Sequence, residues 1–185
     1  MDFMLRNTRD NYGSVAKFFH WLMALAVIFM LALGLYMSGL SFSPDKLRLY
    51  GLHKSIGALI LIFVTLRLIW RFTNPAPVLP EGLSAFEKFA ASAVHYMLYS
   101  IMFLMPLTGW LMSSATGFPV SVFGFFTLPD LIKPDKALQH FFATAHNYIA
   151  YAAIGLISLH ILAALKHHFI DKDNILRRML PWVRS

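Results

Sequence analysis

Long apolar stretches alternate with short polar segments along this chain of 185 residues. Four of the stretches come close to or exceed the ~20 residues that a helix needs to cross a bilayer. They run over residues 18–38, 55–72, 89–113 and 141–165. The pattern predicts an all-α fold, a transmembrane four-helix bundle, with residues 1–185 forming a single integral membrane domain.

The first stretch follows the charged residues Arg6, Arg9 and Lys17, as a secretory signal peptide would. Its apolar run is too long for the core of a signal peptide, and no small-residue cleavage site follows it. We therefore interpret residues 18–38 as a helix of the bundle.

Two connecting segments have distinctive sequences. The segment NPAPVLPEG, residues 74–82, is rich in proline and cannot be helical. The segment GFPVSVFGFFTLPDL, residues 117–131, is aromatic and apolar but is broken by Pro119, Gly124 and Pro129. We expect this second segment to lie at the outer membrane interface, where aromatic side chains are enriched, without spanning the bilayer.

Composition excludes several classes of protein. The chain is 58% hydrophobic and only 14% charged, which is typical of membrane proteins. It contains no cysteine, which excludes disulfides, cysteine-ligated iron–sulfur clusters and covalent c-type haem attachment. The net charge of +7 would suit a nucleic-acid partner, but the basic residues flank the apolar stretches. We expect membrane lipid, and no nucleic acid, as a partner.

The basic residues also predict an orientation. The N-terminus, the 72–88 loop, the C-terminal tail and the adjoining helix ends carry eleven of them: Arg6, Arg9, Lys17, Arg67, Arg71, Lys88, Lys166, Lys172, Arg177, Arg178 and Arg184. The other two loops and their flanks carry five: Lys46, Arg48, Lys54, Lys133 and Lys136. By the positive-inside rule, both termini are cytoplasmic in a multi-pass protein of the bacterial inner membrane.

Two histidines lie within the fourth stretch, fourteen residues apart. A helix turns 100° and rises 1.5 Å per residue, so His146 and His160 share one face, separated by about 21 Å along the axis. The small residues Ala150 and Ala153 lie between them on that face and leave room for something large and flat.

The same spacing recurs in the other three helices. His20 precedes Gly34, His53 precedes Arg67, and His95 precedes Gly109, each by fourteen residues. Because successive helices run in opposite directions, these positions sort by depth into two layers. The predicted outer layer contains Gly34, His53, Gly109 and His146. The predicted inner layer contains His20, Arg67, His95 and His160. We expect the two glycines to let a bulky ligand approach the backbone.

Intramembrane ionisable residues are costly and usually functional. Imidazole suits iron, copper and zinc, and neither layer contains a carboxylate or thiol to complete a structural zinc site. Imidazoles on opposite sides of a planar macrocycle fit the arrangement, so we predict two non-covalently held b-type haems. An iron with two imidazole ligands has no open position, which makes it an electron carrier.

The remaining polar residues have simpler interpretations. We expect Arg67 either to pair with a haem propionate or to extend towards the inner lipid headgroups. His140 is expected to lie in a loop before the fourth helix, and His167 and His168 at the inner interface.

Four sequence stretches now define a resemblance: FHWLM at 19–23, LHKSIGALILIFVTLRLIWR at 52–71, HYMLYSIMFLMPLTGW at 95–110 and the segment from His146 to Met179. Together they resemble the bacterial cytochrome b561 family over residues 12–180. The resemblance implies a four-helix, dihaem membrane protein that exchanges electrons with quinone. Some members of the family resemble superoxide:ubiquinone oxidoreductases, and related cytochromes are subunits of hydrogenase and formate dehydrogenase complexes. Family members often have glutamate where this chain has Asn147.

Ligand assignment differs between the layers. His53 and His146 are the histidines available at the outer depth. At the inner depth, distance from the flanking lysines would pair His160 with His95, whereas the resemblance implies a pair of His160 with His20. His95 would then contact quinone or a propionate.

Three functions remain open from the sequence. The leading hypothesis is an enzyme that oxidises superoxide at the outer face and reduces ubiquinone, with Lys46, Arg48 and Lys54 attracting the anion; no catalytic residue is assigned. The second is an electron-transfer subunit that passes electrons between quinone and a separate redox partner protein. The third is a histidine-lined metal or proton transporter, which would be colourless.

Overall fold

The computed structural model describes residues 4–80 and 82–181. Four long helices, each long and apolar enough to cross a membrane, account for most of the fold. They are α1 (Ser14–Ser38), α2 (Pro44–Thr73), α3 (Ala85–Thr116) and α4 (Lys136–Phe169), and a short helix α5 (Ile175–Met179) follows. The prediction of a transmembrane four-helix bundle is confirmed. Arg184, which contributed to the predicted orientation, lies outside the described residues.

All four helices begin before the apolar stretch that predicted them, and side-chain caps set the starts of α2, α3 and α4. The largest difference is in α2, which begins at Pro44 and not at residue 55. The Ser43 hydroxyl accepts a hydrogen bond from the backbone N–H of Lys46, and proline at the first helical position has the backbone angle that a helix requires. The first turns of α2 are therefore polar.

Local sequence also sets the residues at which α3 begins and ends. Ser84 and Glu87 form a reciprocal capping box at its first turn. Gly117 ends the helix in the left-handed conformation, with φ of 73°. Pro106 lies inside the helix, where it removes one backbone hydrogen bond.

The aromatic segment 117–131 contains a small antiparallel hairpin, formed by β1 (Ser121–Val122) and β2 (Phe126–Thr127). The hairpin lies against the outer part of α2. There the Ser55 hydroxyl donates to the carbonyl of Ser121 and accepts from the backbone N–H of Phe123, both at 3.0 Å. The hairpin is an addition to the predicted all-α fold.

The segments at the opposite end of the bundle are joined to one another. Asn7 donates to the carbonyl of Asn74 at 3.2 Å, and Arg178 donates to the carbonyl of Val78 at 2.9 Å. The indole of Trp21 donates to the carbonyl of Met179 at 2.8 Å. The three segments predicted to be cytoplasmic therefore meet at one end, which we call the inner end.

Helices adjacent in sequence are neighbours in space. A cluster of buried residues joins α1 to α2: Met23, Met30, Leu33, Ile60 and Val64. Helix α3 packs on α2, and α4 packs on α3. Over the described part of the chain, α4 does not pack closely against either α1 or α2. The interior between these helices is a cavity of about 1540 Å³.

Candidate functional site

Seven histidines line the central cavity, and five of them belong to the two predicted layers: His20, His53, His95, His146 and His160. Arg67 and the glycines Gly34 and Gly109 line it as well. All eight residues of the two predicted layers therefore line one connected cavity. Ligand pockets usually occupy about 300–1,000 Å³, so this cavity exceeds what one ordinary ligand needs.

At the outer depth, His53 on α2 faces His146 on α4. Their ring centroids are 6.3 Å apart, and the planes of the rings are inclined by 71°. Both side chains are partly buried. The two rings face each other between α2 and α4, which do not pack closely against each other.

Gly34 and Gly109 border the outer histidines, as their depth predicted, and the approach of a bulky ligand to their backbone stays a prediction. A Cβ atom on Gly109 would lie 3.2 Å from Cε1 of His146, and one on Gly34 would lie 3.4 Å from Cε1 of His53. The glycines therefore make room for the histidine rings themselves.

A hydroxyl group orients His146. The Oγ1 atom of Thr108 donates to the carbonyls of Leu104 and Met105, both at 2.9 Å, and lies 3.1 Å from Nδ1 of His146. The backbone of Met105 also hydrogen-bonds His146, so the Nδ1–H of the histidine has two acceptors beside it, the Thr108 oxygen and the Met105 carbonyl. Nε2 of His146 is then unprotonated and free to bind a metal. The sequence analysis missed Thr108, although it adjoins Gly109.

The inner layer brings three histidines together. The centroids of His20 on α1 and His160 on α4 are 6.2 Å apart, and those of His95 on α3 and His160 are 5.4 Å apart. The first pair crosses between helices that do not pack closely. The second pair lies between α3 and α4, which do.

Arg67 joins the inner layer through neutral partners. Its Nε donates to the hydroxyl of Tyr99 at 3.1 Å, its Nη1 donates to the carbonyl of Phe19 at 3.3 Å, and its Nη2 lies 3.3 Å from Nδ1 of His20. Its guanidinium group also lies 5.3 Å from the centroid of the Tyr99 ring. These contacts link Arg67, which is on α2, to α1 and α3.

Two more polar side chains, Arg71 and Tyr12, lie near Arg67 and Tyr99 and were not among the predicted site residues. The Arg71 guanidinium lies 5.6 Å from the centroid of the Tyr99 ring. Tyr12, which precedes α1, is largely buried, and that burial raises the pKa of its phenol, an effect that the charge of Arg71 partly offsets. No sequence signal linked Tyr12 and Tyr99 to this layer, because the bundle brings them together from distant positions.

The geometry of the histidine pairs can be tested against haem. An imidazole nitrogen lies about 2.0–2.1 Å from a bound first-row metal ion and roughly 1.1 Å from its own ring centre, so two imidazoles on one iron place their centroids roughly 6.3 Å apart. The pairs His53–His146 and His20–His160, at 6.3 and 6.2 Å, fit this distance. The pair His95–His160, at 5.4 Å, is too close.

The basic residues expected to attract superoxide make local contacts near the outer end of α2. Lys54, which is partly buried, donates to the carbonyl of Phe118 at 3.1 Å, and Lys46 donates to the carbonyl of Leu40 at 2.5 Å. Arg48 and Asp45 form an exposed ion pair at 3.4 Å. The charges of Arg48 and Lys54 are therefore partly compensated, by Asp45 and Asp130 respectively, whereas Lys46 donates to a neutral carbonyl.

The remaining histidines lie outside the two layers. The prediction that His140 lies in a loop is wrong, because the Asp135 side chain caps α4 and the helix begins at Lys136. His167 and His168 lie at the inner end of α4, as expected. Nδ1 of His167 lies 3.0 Å from a carboxylate oxygen of Asp171 and 2.8 Å from one of Asp173.

Comparison with known proteins places the chain in a family. The sequence profile of prokaryotic cytochrome b561 matches residues 11–182. The chain is 40% identical over 181 residues to cytochrome b561 homolog 2 of Escherichia coli strain K12, covering 94% of this chain and 93% of that protein. It is 31% identical over 178 residues to cytochrome b561 homolog 1 of the same strain, covering 93% and 98% of the two chains.

A third relative has a more specific name. The chain is 27% identical over 177 residues to the probable superoxide oxidase CybB of Yersinia pestis, covering 95% of this chain and 98% of that protein. The family profile, the two Escherichia coli relatives and the four spanning helices agree with one another. The chain therefore belongs to the prokaryotic cytochrome b561 family, bacterial membrane proteins that bind b-type haem and transfer electrons across the membrane.

Proposed function

We propose that this protein is a superoxide:ubiquinone oxidoreductase that holds two b-type haems, one by His53 and His146 and the other by His20 and His160. The observation that carries the proposal is the separation of the two ring pairs, 6.3 and 6.2 Å, across helices that do not pack closely. Each haem would supply reversible one-electron chemistry. The protein holds both axial positions and places the two sites in different halves of the bilayer.

The choice of His20 over His95 as the partner of His160 rests on space. A macrocycle needs a gap between the helices that carry its ligands, and α1 and α4 leave one while α3 and α4 do not. The shorter separation of His95 and His160 agrees with this choice. His95 then borders the inner site and is a candidate contact for ubiquinone or a propionate.

The choice of superoxide as electron donor rests on two observations. The relative from Yersinia pestis is named a probable superoxide oxidase. The outer end of α2 carries Lys46, Arg48 and Lys54, which attract a small anion. His53 and His146 would both bind the outer haem iron, so superoxide would give up its electron without binding the metal. Two superoxide ions yield two molecules of dioxygen and two electrons, and ubiquinone takes up these electrons with two protons.

The orientation completes the proposal. The excess of basic residues at the inner end supports cytoplasmic termini in a protein of the bacterial inner membrane. Superoxide then reacts on the outer side, and lipid and ubiquinone are the membrane partners.

The decisive experiment mixes purified protein, reconstituted in lipid with ubiquinone, with a superoxide source and follows haem absorbance and ubiquinol. We expect about two haems per chain, extractable by acid acetone because no cysteine tethers them, and superoxide-dependent ubiquinol formation. If superoxide fails to reduce the haems, the protein is instead an electron-transfer subunit that serves quinone and a redox partner protein. A colourless protein would favour the histidine-lined transporter.

A further inference from the structure

The two proposed ligand pairs differ in the group that faces the second nitrogen of a ring. This difference matters because that nitrogen controls how strongly the ligand donates electrons to iron. The inference below rests on the proposed function, since it requires haem at both pairs.

In the outer pair, His146 has the partner that favours strong donation. Its Nδ1–H faces two acceptors, the Thr108 oxygen at 3.1 Å and the backbone carbonyl of Met105, and the hydroxyl proton of Thr108 is itself directed to backbone carbonyls. A hydrogen bond donated from Nδ1–H raises the basicity of Nε2. A more basic ligand stabilises ferric iron and lowers the reduction potential.

In the inner pair, His20 has the opposite kind of partner. Nη2 of Arg67 lies 3.3 Å from Nδ1 of His20, and a guanidinium group can only donate hydrogen bonds. His20 therefore lacks an acceptor at Nδ1 in this contact and has a permanent positive charge beside it. A ring that binds iron through Nε2 carries its proton on Nδ1, where a guanidinium cannot accept it. With haem bound, Arg67 would therefore supply a positive charge beside His20 and no acceptor, which makes His20 a weaker donor than His146.

The charge of Arg67 has no carboxylate to offset it. Within residues 4–80 and 82–181, every ion pair lies away from Arg67, whose partners are Tyr99, Phe19 and His20. Arg71 adds a second guanidinium beside the same Tyr99 ring. A positive charge in a medium of low dielectric constant stabilises the reduced state of a nearby iron. The effect keeps its sign if Arg67 turns from His20 to a propionate, since the charge stays in the inner layer.

From these contacts we propose that Arg67 is a tuning residue that makes the inner haem the higher-potential one of the two. An electron that enters at the outer site then comes to rest at the inner site, next to His95. Thr108 contributes from the other side by keeping the potential of the outer haem low.

The test is a spectroelectrochemical titration of the purified, haem-loaded protein, with each haem identified by its loss in His53→Ala or His160→Ala. We expect Arg67→Met to shift the midpoint potential of the inner haem to a lower value and to leave the outer one in place. Arg67→Lys, which keeps the charge, should retain most of the wild-type potential. The matched control is Arg48→Met, which removes an exposed arginine at the outer end and should move neither potential.

A second variant tests the inference without touching Arg67. Thr108→Val keeps the shape of the side chain but removes one of the two acceptors beside Nδ1 of His146 and leaves the Met105 carbonyl, so we expect the potential of the outer haem to rise while that of the inner haem stays constant. The inference is overturned if Arg67→Met and Arg67→Lys behave alike, or if the wild-type outer haem has the higher potential. A haem content far from two per chain would instead refute the proposed function.

Discussion

At the scale of single residues, each side chain of the site needs a specific neighbour. His146 is oriented by Thr108, His20 is contacted by Arg67, and Nδ1 of His53 is buried with no hydrogen-bond partner among the described residues. These differences make the histidines unequal in substitution experiments, even though they share one residue type and one spacing.

The first prediction compares the two candidates for the inner ligand. We expect His20→Ala to reduce the haem content from about two to about one per chain, because removing an axial ligand leaves the iron weakly held. His95→Ala should retain both haems, since its ring lies too close to His160 for an iron to fit between them. Haem-to-protein ratios measure the outcome. Loss of the inner haem in His95→Ala alone would mean that the inner pairing is wrong.

The second prediction concerns Gly109. Alanine there would place Cβ 3.2 Å from the His146 ring, so the ring must move by a few tenths of an ångström. We expect Gly109→Ala to weaken retention of the outer haem and to change its absorbance band, with the inner haem unaffected. Gly155→Ala is the matched control, because a Cβ at that position meets nothing within 4 Å. Equal spectra for the two variants would contradict the close contact.

Residue spacing predicted which groups share a depth, but it could not predict hydrogen-bond partners. The fourteen-residue offset identified Gly34 and Gly109 as neighbours of outer histidines because it follows directly from helix geometry. The partners of Arg67 lie on α1 and α3, and their proximity depends on how three helices pack. From the sequence, the predicted partner of Arg67 was a haem propionate or a lipid headgroup, and Tyr99 was not identified.

At the scale of secondary-structure elements, the outer hairpin depends on one hydroxyl group. Ser55 is buried, and its hydroxyl proton is shared between the carbonyls of Gly51, at 2.9 Å, and Ser121, at 3.0 Å, while its oxygen accepts from the N–H of Phe123. Phe123 has φ of 49°, a conformation that a non-glycine residue adopts at some cost and that this hydrogen bond helps to hold.

The third prediction follows from these bonds. Ser55→Ala leaves a carbonyl and an N–H group unpaired, at a cost of about 1–3 kcal/mol for each group that stays buried. We expect faster proteolysis within residues 121–127 and a lower unfolding temperature. Ser92→Ala is the control, because the Ser92 hydroxyl bonds only to the carbonyl of Lys88 in its own helix. Unchanged proteolysis in Ser55→Ala would mean that other contacts hold the hairpin.

The predicted elements were right in number and order because each apolar stretch is long enough to span a bilayer. Their bounds were too short because apolar content marks the hydrocarbon core, whereas helices continue into polar regions until a cap ends them. Ser43 with Pro44 and the capping box at Ser84 are the local signals that set these bounds. The hairpin was missed because its two strands, of two residues each, are too short for any periodicity to appear.

At the scale of the whole molecule, charge at the outer end should govern the encounter with superoxide. The side chains concerned are Lys46, Arg48 and Lys54, of which Arg48 faces Asp45. Fields from surface charges raise the association rates of small ions, and salt screens them over a distance of about 8 Å at physiological ionic strength.

The fourth prediction tests this attraction. Replacing Lys46, Arg48 and Lys54 together by glutamine should slow haem reduction by superoxide, by a factor on the order of ten. Added salt should slow the wild type more than the triple variant, while reduction by quinol stays near wild type in both. Stopped-flow absorbance provides the rates. A superoxide rate that responds neither to salt nor to the triple substitution would remove the steering role.

The bond between Trp21 and Met179 also sets an order of events during synthesis. The two residues are 158 positions apart, so the carbonyl that Trp21 needs is made only after all four spanning helices have been synthesised. The inner end of the bundle, next to His20, is consequently the last part of the protein to close. A chain that stops before Met179 would retain every spanning helix but would lose this closure, leaving the inner site open to the solution on that side.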